Sequence, residues 1–443
     1  MTRIALLAPR DSLREVLVRV ADAGVIEFDE TDNGGREAQS RVGGIALSEL
    51  PPDPEDCERR GRLDLLAGEE ELQARVDQAF TEGEVAGLVG WIVADELAPL
   101  AERVGDFGGA LAPLARPRGV DPPTQLREDG ISKEFDPLVD TYATLPYSDV
   151  NPAVLAGLAY VVMFGMMFAD VGHGLMLLVS ALAVRWGWSP RLTRLRPAWL
   201  FLAGAGLFSM IFGALYGEFF GPTGVIPVVW LEPLENAVPL LGAAVAVGAV
   251  LLASAYALGS VNRFREGGWR RMLYASAGVA GATVFLGVGL LAAGLYFETT
   301  AVLWLGSVVG LVGLVAVFIG LFTAAGGGVS GAFQALIETF DVVVRLGSNL
   351  VSFARLAAFG LTHAALGMVI WEATTALADR GFLGVVGAVL VFLAGNAVAF
   401  ALEGLVAAIQ ALRLEYYELF SRIFTSEGRP FRPWHIPLQL EEK

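Results

Sequence analysis

The chain has 443 residues, of which 54% are hydrophobic and 18% are charged, and its formal net charge is −16. Soluble globular domains carry about 25% charged residues, so this composition indicates an integral membrane protein. The acidic excess lies in residues 1–150, which hold 31 acidic and 15 basic side chains, whereas residues 151–443 hold 16 of each. This balance argues against nucleic-acid binding and against a basic anchor for anionic lipid.

The N-terminal part predicts a small α/β domain built from two strand–helix–strand pieces. Strands are predicted at 3–9, 25–30, 84–93 and 109–117, and helices at 11–24 and 94–107. The polar interval 35–82 between the pieces predicts one short charged helix at 58–80. Charged residues near the N-terminus occupy the place of a signal-peptide core, so we expect this part to stay in the cytoplasm. The single cysteine, Cys57, excludes an internal disulfide framework.

Eight long apolar segments follow, each close to or above the length that crosses a bilayer. They are predicted at 153–169, 172–187, 198–220, 238–261, 272–296, 300–324, 347–377 and 382–408. The first two are nearly continuous around 170–174, so seven spans are the alternative. The resulting division is a cytoplasmic α/β domain at 1–120, a Pro-rich linker at 121–152, a membrane domain at 153–425 and a cytoplasmic C-terminal tail at 426–443.

The charges of the loops favour eight spans over seven. Loops 185–197 and 262–271 carry four arginines each, whereas the alternate loops 221–239 and 294–301 carry no Lys or Arg. Because positively charged residues stay on the cytoplasmic side, eight spans with both termini in the cytoplasm fit this distribution.

Polar residues form a stripe along each of the last two spans. Asp341, Ser348, Arg355 and Thr362 follow one another at steps of seven residues, which is close to two helical turns, and His363 lies nearby on the same span. Charged side chains inside membrane spans usually face a protein interior or a water-filled path and pair with one another. We therefore expect this stripe to face a protein interior or a water-filled path and not lipid.

The last span repeats this pattern with Asn396, Glu403 and Gln410 at steps of seven, and Arg413 follows one turn later. Structural interpretations are the alternative. Arginines near a helix end can snorkel into the headgroups, and Glu403 can be the partner of either arginine. His363 taken alone can be an interhelical hydrogen bond.

Four motifs, in order, resemble the membrane-embedded a/I subunit of V-type and A/V-type rotary ATPases. They are "MFGMMFADVGHGLML" at 163–177, "FGALYGEFFG" at 212–221, "SFARLAAFGLTH" at 352–363 and "LEGLVAAIQALRLEYYELFSRIFTSEGRPFRPW" at 402–434. The resemblance implies a stator subunit that forms two ion half-channels and couples proton or sodium translocation to rotation. It implies no enzyme activity of its own, since the ATP chemistry is on other subunits.

The resemblance also assigns residues. Arg355 matches the essential arginine that faces the rotor ring, Arg413 the second arginine on the last helix, and Glu403 and His363 polar positions of the ion path. Further channel-lining candidates are Ser348, Ser352, Thr362, Asn396, Gln410, Glu338 and Asp341. Asp170, His173 and Glu218 lie in the other motifs, where we expect structural or vestibule roles.

The implied partners are the rotor ring of proteolipid c/K subunits, peripheral stalk subunits, a central stalk connector and membrane lipid of the plasma membrane. The chain departs from the family between its two α/β pieces, where members usually insert a long helical coiled coil. Here the interval 35–82 has room for a short helix only, which leaves the number of stalks open.

A secondary transporter with an intramembrane Arg/Glu/His pathway is the alternative function, although no internal repeat supports it. A structural scaffold would not need the two polar stripes. The sequence contains no GxxxxGK[ST] motif, so we expect no nucleotide hydrolysis by this chain. Three histidines and one cysteine form no metal-ligand cluster in the sequence, so we predict neither a metal site nor a cofactor.

Overall fold

The computed structural model describes residues 1–29, 53, 57, 59, 63–117, 120–125, 132–187, 196–424 and 428–436. The chain forms two units. The first comprises Met1–Leu126 together with Gly428–Lys443, and the second comprises Arg127–Glu427. Much of the predicted polar interval 35–82 lies outside the described residues.

The first unit is an antiparallel sheet covered by helices. Its strands are β1 (Thr2–Pro9), β2 (Ile26–Phe28), β3 (Phe80–Glu82), β4 (Val85–Ile92) and β5 (Ala110–Leu114), and its helices are α1 (Leu13–Ala23), α2 (Leu63–Asp77) and α3 (Leu97–Gly105). The sheet order is β2-β4-β1-β5, with β3 paired to β4. Apolar side chains alternate along β1, where Ile4 and Leu6 are fully buried beneath α1. The predicted small α/β domain is confirmed.

The C-terminal segment 428–436 completes this unit. The Trp434 main-chain N–H donates to the carbonyl of Ile26 at 2.6 Å, and its indole N–H donates to Glu71 at 3.1 Å. The indole packs edge-on against Phe28 with ring centroids 5.5 Å apart. Only 6% of Trp434 is exposed. Trp434 is therefore a core residue of the N-terminal domain.

We expect Trp434→Ala to destabilise the first unit by about 3–5 kcal/mol, because it removes a buried aromatic side chain and leaves a cavity. Hydrogen exchange of β1 and β2 in the full-length protein measures this effect. The matched control is Arg432→Ala, since the Arg432 side chain is exposed and the variant keeps the main-chain N–H that donates to Glu27. Equal protection in both variants would contradict the assignment of Trp434 to the core.

The second unit is helical throughout its described residues. Its helices are α4 (Ser132–Tyr142), α5 (Ala153–Met167), α6 (Val171–Trp186), α7 (Trp199–Tyr216), α8 (Ala237–Tyr274), α9 (Val279–Tyr296), α10 (Thr300–Ala324), α11 (Gly328–Ser352), α12 (Ala354–Ala378) and α13 (Phe382–Leu414), followed by a π-helical turn at Glu415–Phe420 and the short α14 (Ser421–Ile423).

In the described part of the chain, six helical segments are long and apolar enough to cross a membrane, and α5 and α6 are shorter apolar helices. Each predicted apolar segment coincides with one of these helices or helical segments. The predicted fold class, a polytopic helical membrane protein with a small N-terminal α/β domain, is confirmed. Helices are stable in the hydrocarbon of a bilayer because each helix satisfies its own backbone hydrogen bonds there.

Two predicted spans are longer than the sequence indicated. The span predicted at 238–261 continues through charged residues to Tyr274, with non-helical backbone at Gly267 and Gly268. The span predicted at 382–408 continues to Leu414. Polar and charged side chains follow both predicted ends, at Asn262 and Arg263 and at Gln410 and Arg413. A helix can nevertheless extend beyond the hydrocarbon, where such side chains reach water.

The span predicted at 347–377 is the end of α11 followed by α12, with a break at Phe353. The Phe353 ring is fully buried against α8, where a Cβ on Gly248 would lie only 2.1 Å from the ring. A glycine at this position therefore makes room for the ring at the break. Arg355 follows directly, at the second residue of α12.

Helices α12 and α13 pack against each other, and both contact α5. Helix α7 packs between α5 and α6, while α8 contacts α12 from another side. The two spans with polar stripes thus meet the break between α5 and α6.

Candidate functional site

The break between α5 and α6 is held by a buried carboxylate. Asp170 caps α6, with Oδ1 accepting from the His173 main-chain N–H at 2.8 Å and Oδ2 accepting from the Gly221 N–H at 3.0 Å. The Val171 N–H also donates to the carbonyl of Glu218 at 3.0 Å. The motifs at 163–177 and 212–221 therefore fold as a single structure. Asp170, His173 and Glu218 are buried there.

His363 on α12 and Glu403 on α13 are brought to this structure. Nδ1 of His363 forms a hydrogen bond with Oε2 of Glu403. The imidazole rings of His363 and His173 lie 5.5 Å apart between centroids. We call Asp170, His173, Glu218, His363 and Glu403 the histidine cluster. From the sequence, Glu403 could be the partner of Arg355 or of Arg413. In the structure it is paired with His363.

Potential ligand atoms of Asp170, His173 and His363 all lie within 4.8 Å of one another. The sequence analysis predicted no metal-ligand cluster, because these side chains come from two segments that are distant in sequence and no short spacing connects them. Two of the three were expected to be structural. The fold makes them neighbours of the predicted ion-path residue His363.

A second group of charges surrounds Arg355. Its guanidinium Nη1 is buried without a hydrogen-bond partner. The charges that act on it are those of Arg413, which is exposed near the end of α13, and of Glu418 in the π-helical turn. The positive charge of Arg413 therefore opposes that of Arg355, and the carboxylate of Glu418 acts on both.

Glu418 is held by its own partners. With the Asn349 amide oriented to satisfy its neighbours, its nitrogen donates to Glu418 at 3.0 Å and its oxygen accepts from Arg422 at 3.3 Å. The hydroxyl of Ser352 also reaches Glu418. We call Arg355, Arg413, Glu418, Arg422 and Asn349 the arginine cluster. Sequence reasoning missed Glu418, Arg422 and Asn349.

A cavity of about 480 Å³ lies beside Arg355 at the surface of α11 and α12. It is lined by Gly347, Ser348, Val351, Ser352 and Arg355. Four of these five side chains are small or absent, so the lining is recessed, and Gly347, Ser348 and Val351 are exposed. Arg355 thus borders a shallow surface on which another helix has room to pack.

The remaining channel-lining candidates lie on the same helices but form local contacts. Asp341 pairs with Arg345 at 2.6 Å, Glu338 accepts from Gln334 at 2.9 Å, and the hydroxyls of Ser352 and Thr362 donate to carbonyls of their own helices, as does the Asn396 amide. Oε1 of Gln410 is buried without a hydrogen-bond partner. Ser352 also approaches Glu418 of the arginine cluster, and the main chain of Asn396 approaches His173 of the histidine cluster. The roles of these residues in transport stay predictions.

The sequence of the chain matches the V-type ATPase 116kDa subunit family at residues 111–226 and 332–436, two stretches that contain both clusters. The chain belongs to this family. Its relatives include proteins named A-type ATP synthase subunit I. It is 27% identical to the one from Thermococcus kodakarensis over 82% of the chain and 55% of the relative. It is 28% identical to the one from Aeropyrum pernix over 73% of the chain and 52% of the relative.

The chain spans about half the length of the curated relatives it matches. Membership in the V-type ATPase 116kDa subunit family and the long apolar helices together make it a multi-pass membrane protein. The resemblance found in the sequence motifs is thereby confirmed.

Proposed function

We propose that the chain is the stator subunit of a V/A-type rotary ATPase, in which Arg355 faces the carboxylates of a rotor ring. The observation that carries the proposal is the position of Arg355, at the edge of a recessed surface with one guanidinium nitrogen buried and unpaired. A permanent cation in a membrane span is costly. A carboxylate from another subunit that reaches this surface would offset that cost.

The rotor carboxylate would change protonation as it passes Arg355. In lipid, low dielectric keeps a carboxylic acid protonated, whereas beside a fixed cation the ionised form is favoured. The proton would leave into one half-channel, and a proton from the other half-channel would return before the carboxylate re-enters lipid. Because Arg355 does not release its own proton, it would also separate the two half-channels.

The histidine cluster would belong to the half-channel away from the cytoplasm. His363 lies eight residues after Arg355 on α12, about 12 Å along the helix axis. Its hydrogen bond with Glu403 joins two groups that can exchange protons. Glu338 and Asp341 lie near the middle of α11, on the N-terminal side of Arg355, and would lie at the opposite, cytoplasmic mouth.

The proposal includes partners and location. The rotor ring of proteolipid c/K subunits would contact the α11–α12 surface, peripheral stalk subunits and the central stalk connector would bind the cytoplasmic parts, and both termini would lie in the cytoplasm at the plasma membrane. The ATP chemistry would take place on other subunits. The translocated ion would be a proton or sodium.

Disulfide cross-linking tests the contact with the ring. In a Cys57→Ser background, we expect Val351→Cys to cross-link to a cysteine on the lipid-facing helix of the ring, because Val351 is 70% exposed on the cavity beside Arg355. The matched control is Leu305→Cys, which is 54% exposed on α10. A ring that co-purifies but cross-links equally well at both positions would overturn the proposed contact surface.

A further inference from the structure

His173 has hydrogen-bonding capacity that the protein leaves unused. His173 is 2% exposed, and its ring approaches the main chain of Asn396, but neither ring nitrogen has a partner within normal hydrogen-bond distance and angle. The rings of Phe168, Phe220 and Phe400 enclose it, with centroids 5.2–5.9 Å away. Buried polar groups are nearly always satisfied, so an imidazole in this setting calls for a ligand.

The charge of the histidine cluster points to a cation. Three carboxylates, those of Asp170, Glu218 and Glu403, surround two imidazoles, and Oε2 of Glu218 is buried without a hydrogen-bond partner. The charges that act on Glu218 are those of Asp170, His363 and Glu232. A buried negative cluster is costly unless a positive charge compensates it.

The donor atoms are spaced for a small metal ion. Nδ1 of His173 lies 3.7 Å from Oδ1 of Asp170, and ligands at about 2.0–2.1 Å from a tetrahedral Zn²⁺ are roughly 3.3 Å apart. Each Asp170 oxygen accepts one main-chain hydrogen bond and retains a lone pair. Small shifts of the imidazole rings would complete the approach.

His363 is prepared as a ligand by Glu403. Because Nδ1 of His363 is bonded to the Glu403 carboxylate, Nε2 is the atom that remains to bind a metal. A carboxylate behind a metal-binding histidine fixes its tautomer and strengthens its basicity. This arrangement is built from α12 and α13 and faces the Asp170 cap.

We propose that Asp170, His173 and His363 bind one divalent transition-metal ion of the Zn²⁺ class, with Glu403 as the carboxylate that orients His363. Two imidazole nitrogens with one carboxylate favour Zn²⁺ or Co²⁺ over Mg²⁺ and Ca²⁺, which prefer oxygen ligands. Glu218 or water would take the fourth position. A metal ion on Nε2 of His363 would stop proton exchange at that ring, so an occupied site would block the proposed half-channel. Metal binding itself can be measured whether or not the proposed transport function holds.

Cobalt titration of the purified protein in detergent tests the site. The protein carries a streptavidin-binding tag in place of a histidine tag and is treated with chelator, and Co²⁺ is added while visible absorption is recorded. We expect one Co²⁺ per chain with the absorption of a tetrahedral site, displaced by Zn²⁺ but not by Mg²⁺. His173→Gln should weaken binding by more than about 100-fold, and Glu403→Gln by about 10–100-fold.

The chain offers a matched control, because it has three histidines and the third, His435, lies in the first unit. His435→Gln should bind Co²⁺ as the wild type does. His363→Gln provides a second ligand variant, and thermal unfolding identifies any variant that fails to fold. The proposal is overturned if the wild type binds no stoichiometric Co²⁺, or if the folded His173→Gln and His363→Gln variants bind it unchanged.

Discussion

Arg355→Gln is expected to abolish ATP-driven proton pumping while the rotor ring still co-purifies. The substitution removes the cation that would favour the ionised rotor carboxylate. Two unit charges about 4 Å apart near a protein surface interact by about 4 kcal/mol, which corresponds to about a thousandfold in rate. Acidification of inverted membrane vesicles on addition of ATP measures the loss, and co-purification of the ring reports assembly.

One further variant at position 355 tests whether pumping needs the arginine side chain itself or only its positive charge, and a second variant, at another position, is the control. Arg355→Lys keeps the charge at neutral pH, but a buried ammonium can release its proton, so we expect weak pumping accompanied by proton leak. Arg380→Gln makes the same charge change at an exposed position just beyond α12 and should pump normally. Pumping near the wild-type level by an assembled Arg355→Gln complex would remove Arg355 from the rotor contact. A wild-type chain that never co-purifies with a ring would favour a secondary transporter.

The helices and the shared face of Arg355 and Thr362 on α12 could be predicted from the sequence because both depend on local periodicity. Long apolar segments must form helices in lipid, and residues seven apart must share a face. Periodicity does not specify which neighbouring helix a face meets. The pairing of His363 with Glu403 was therefore open, and Asp170 and His173 were not recognised as neighbours of His363. That contact depends on the break between α5 and α6, which a hydropathy pattern does not resolve.

Glu418 was missed for a different reason. It follows Arg413 by five residues, which is far from a whole number of α-helical turns, so the pattern placed it on another face of the last helix. The chain changes to a π-helical turn at Glu415–Phe420, which rotates the following side chains relative to an α-helix. The position of Glu418 in the arginine cluster thus depends on a local change of helix pitch, which the sequence pattern did not predict.

This position makes Glu418 the second residue whose replacement should have a large effect. Glu418 is 8% exposed, and its carboxylate acts on the charges of Arg355, Arg413 and Arg422. Removing this carboxylate would leave Arg355 and Arg413 without the negative charge that offsets their mutual repulsion. We expect Glu418→Gln to reduce pumping by at least about tenfold, because the arginines would repel each other and Arg355 would leave the cavity surface.

The experiment must distinguish a loss of position from a loss of folding. ATP-driven acidification is therefore compared per assembled complex, and cross-linking of Val351→Cys to the ring is measured in the same Glu418→Gln background. Glu372→Gln, at an exposed position on α12, is the matched control and should change neither. Reduced pumping with an intact cross-link would locate the defect at the arginine itself. Normal pumping by the complexes that do assemble would restrict the role of Glu418 to stabilising the fold. If Glu418 positioned Arg355, its neutralisation would affect every rotor carboxylate that passed Arg355.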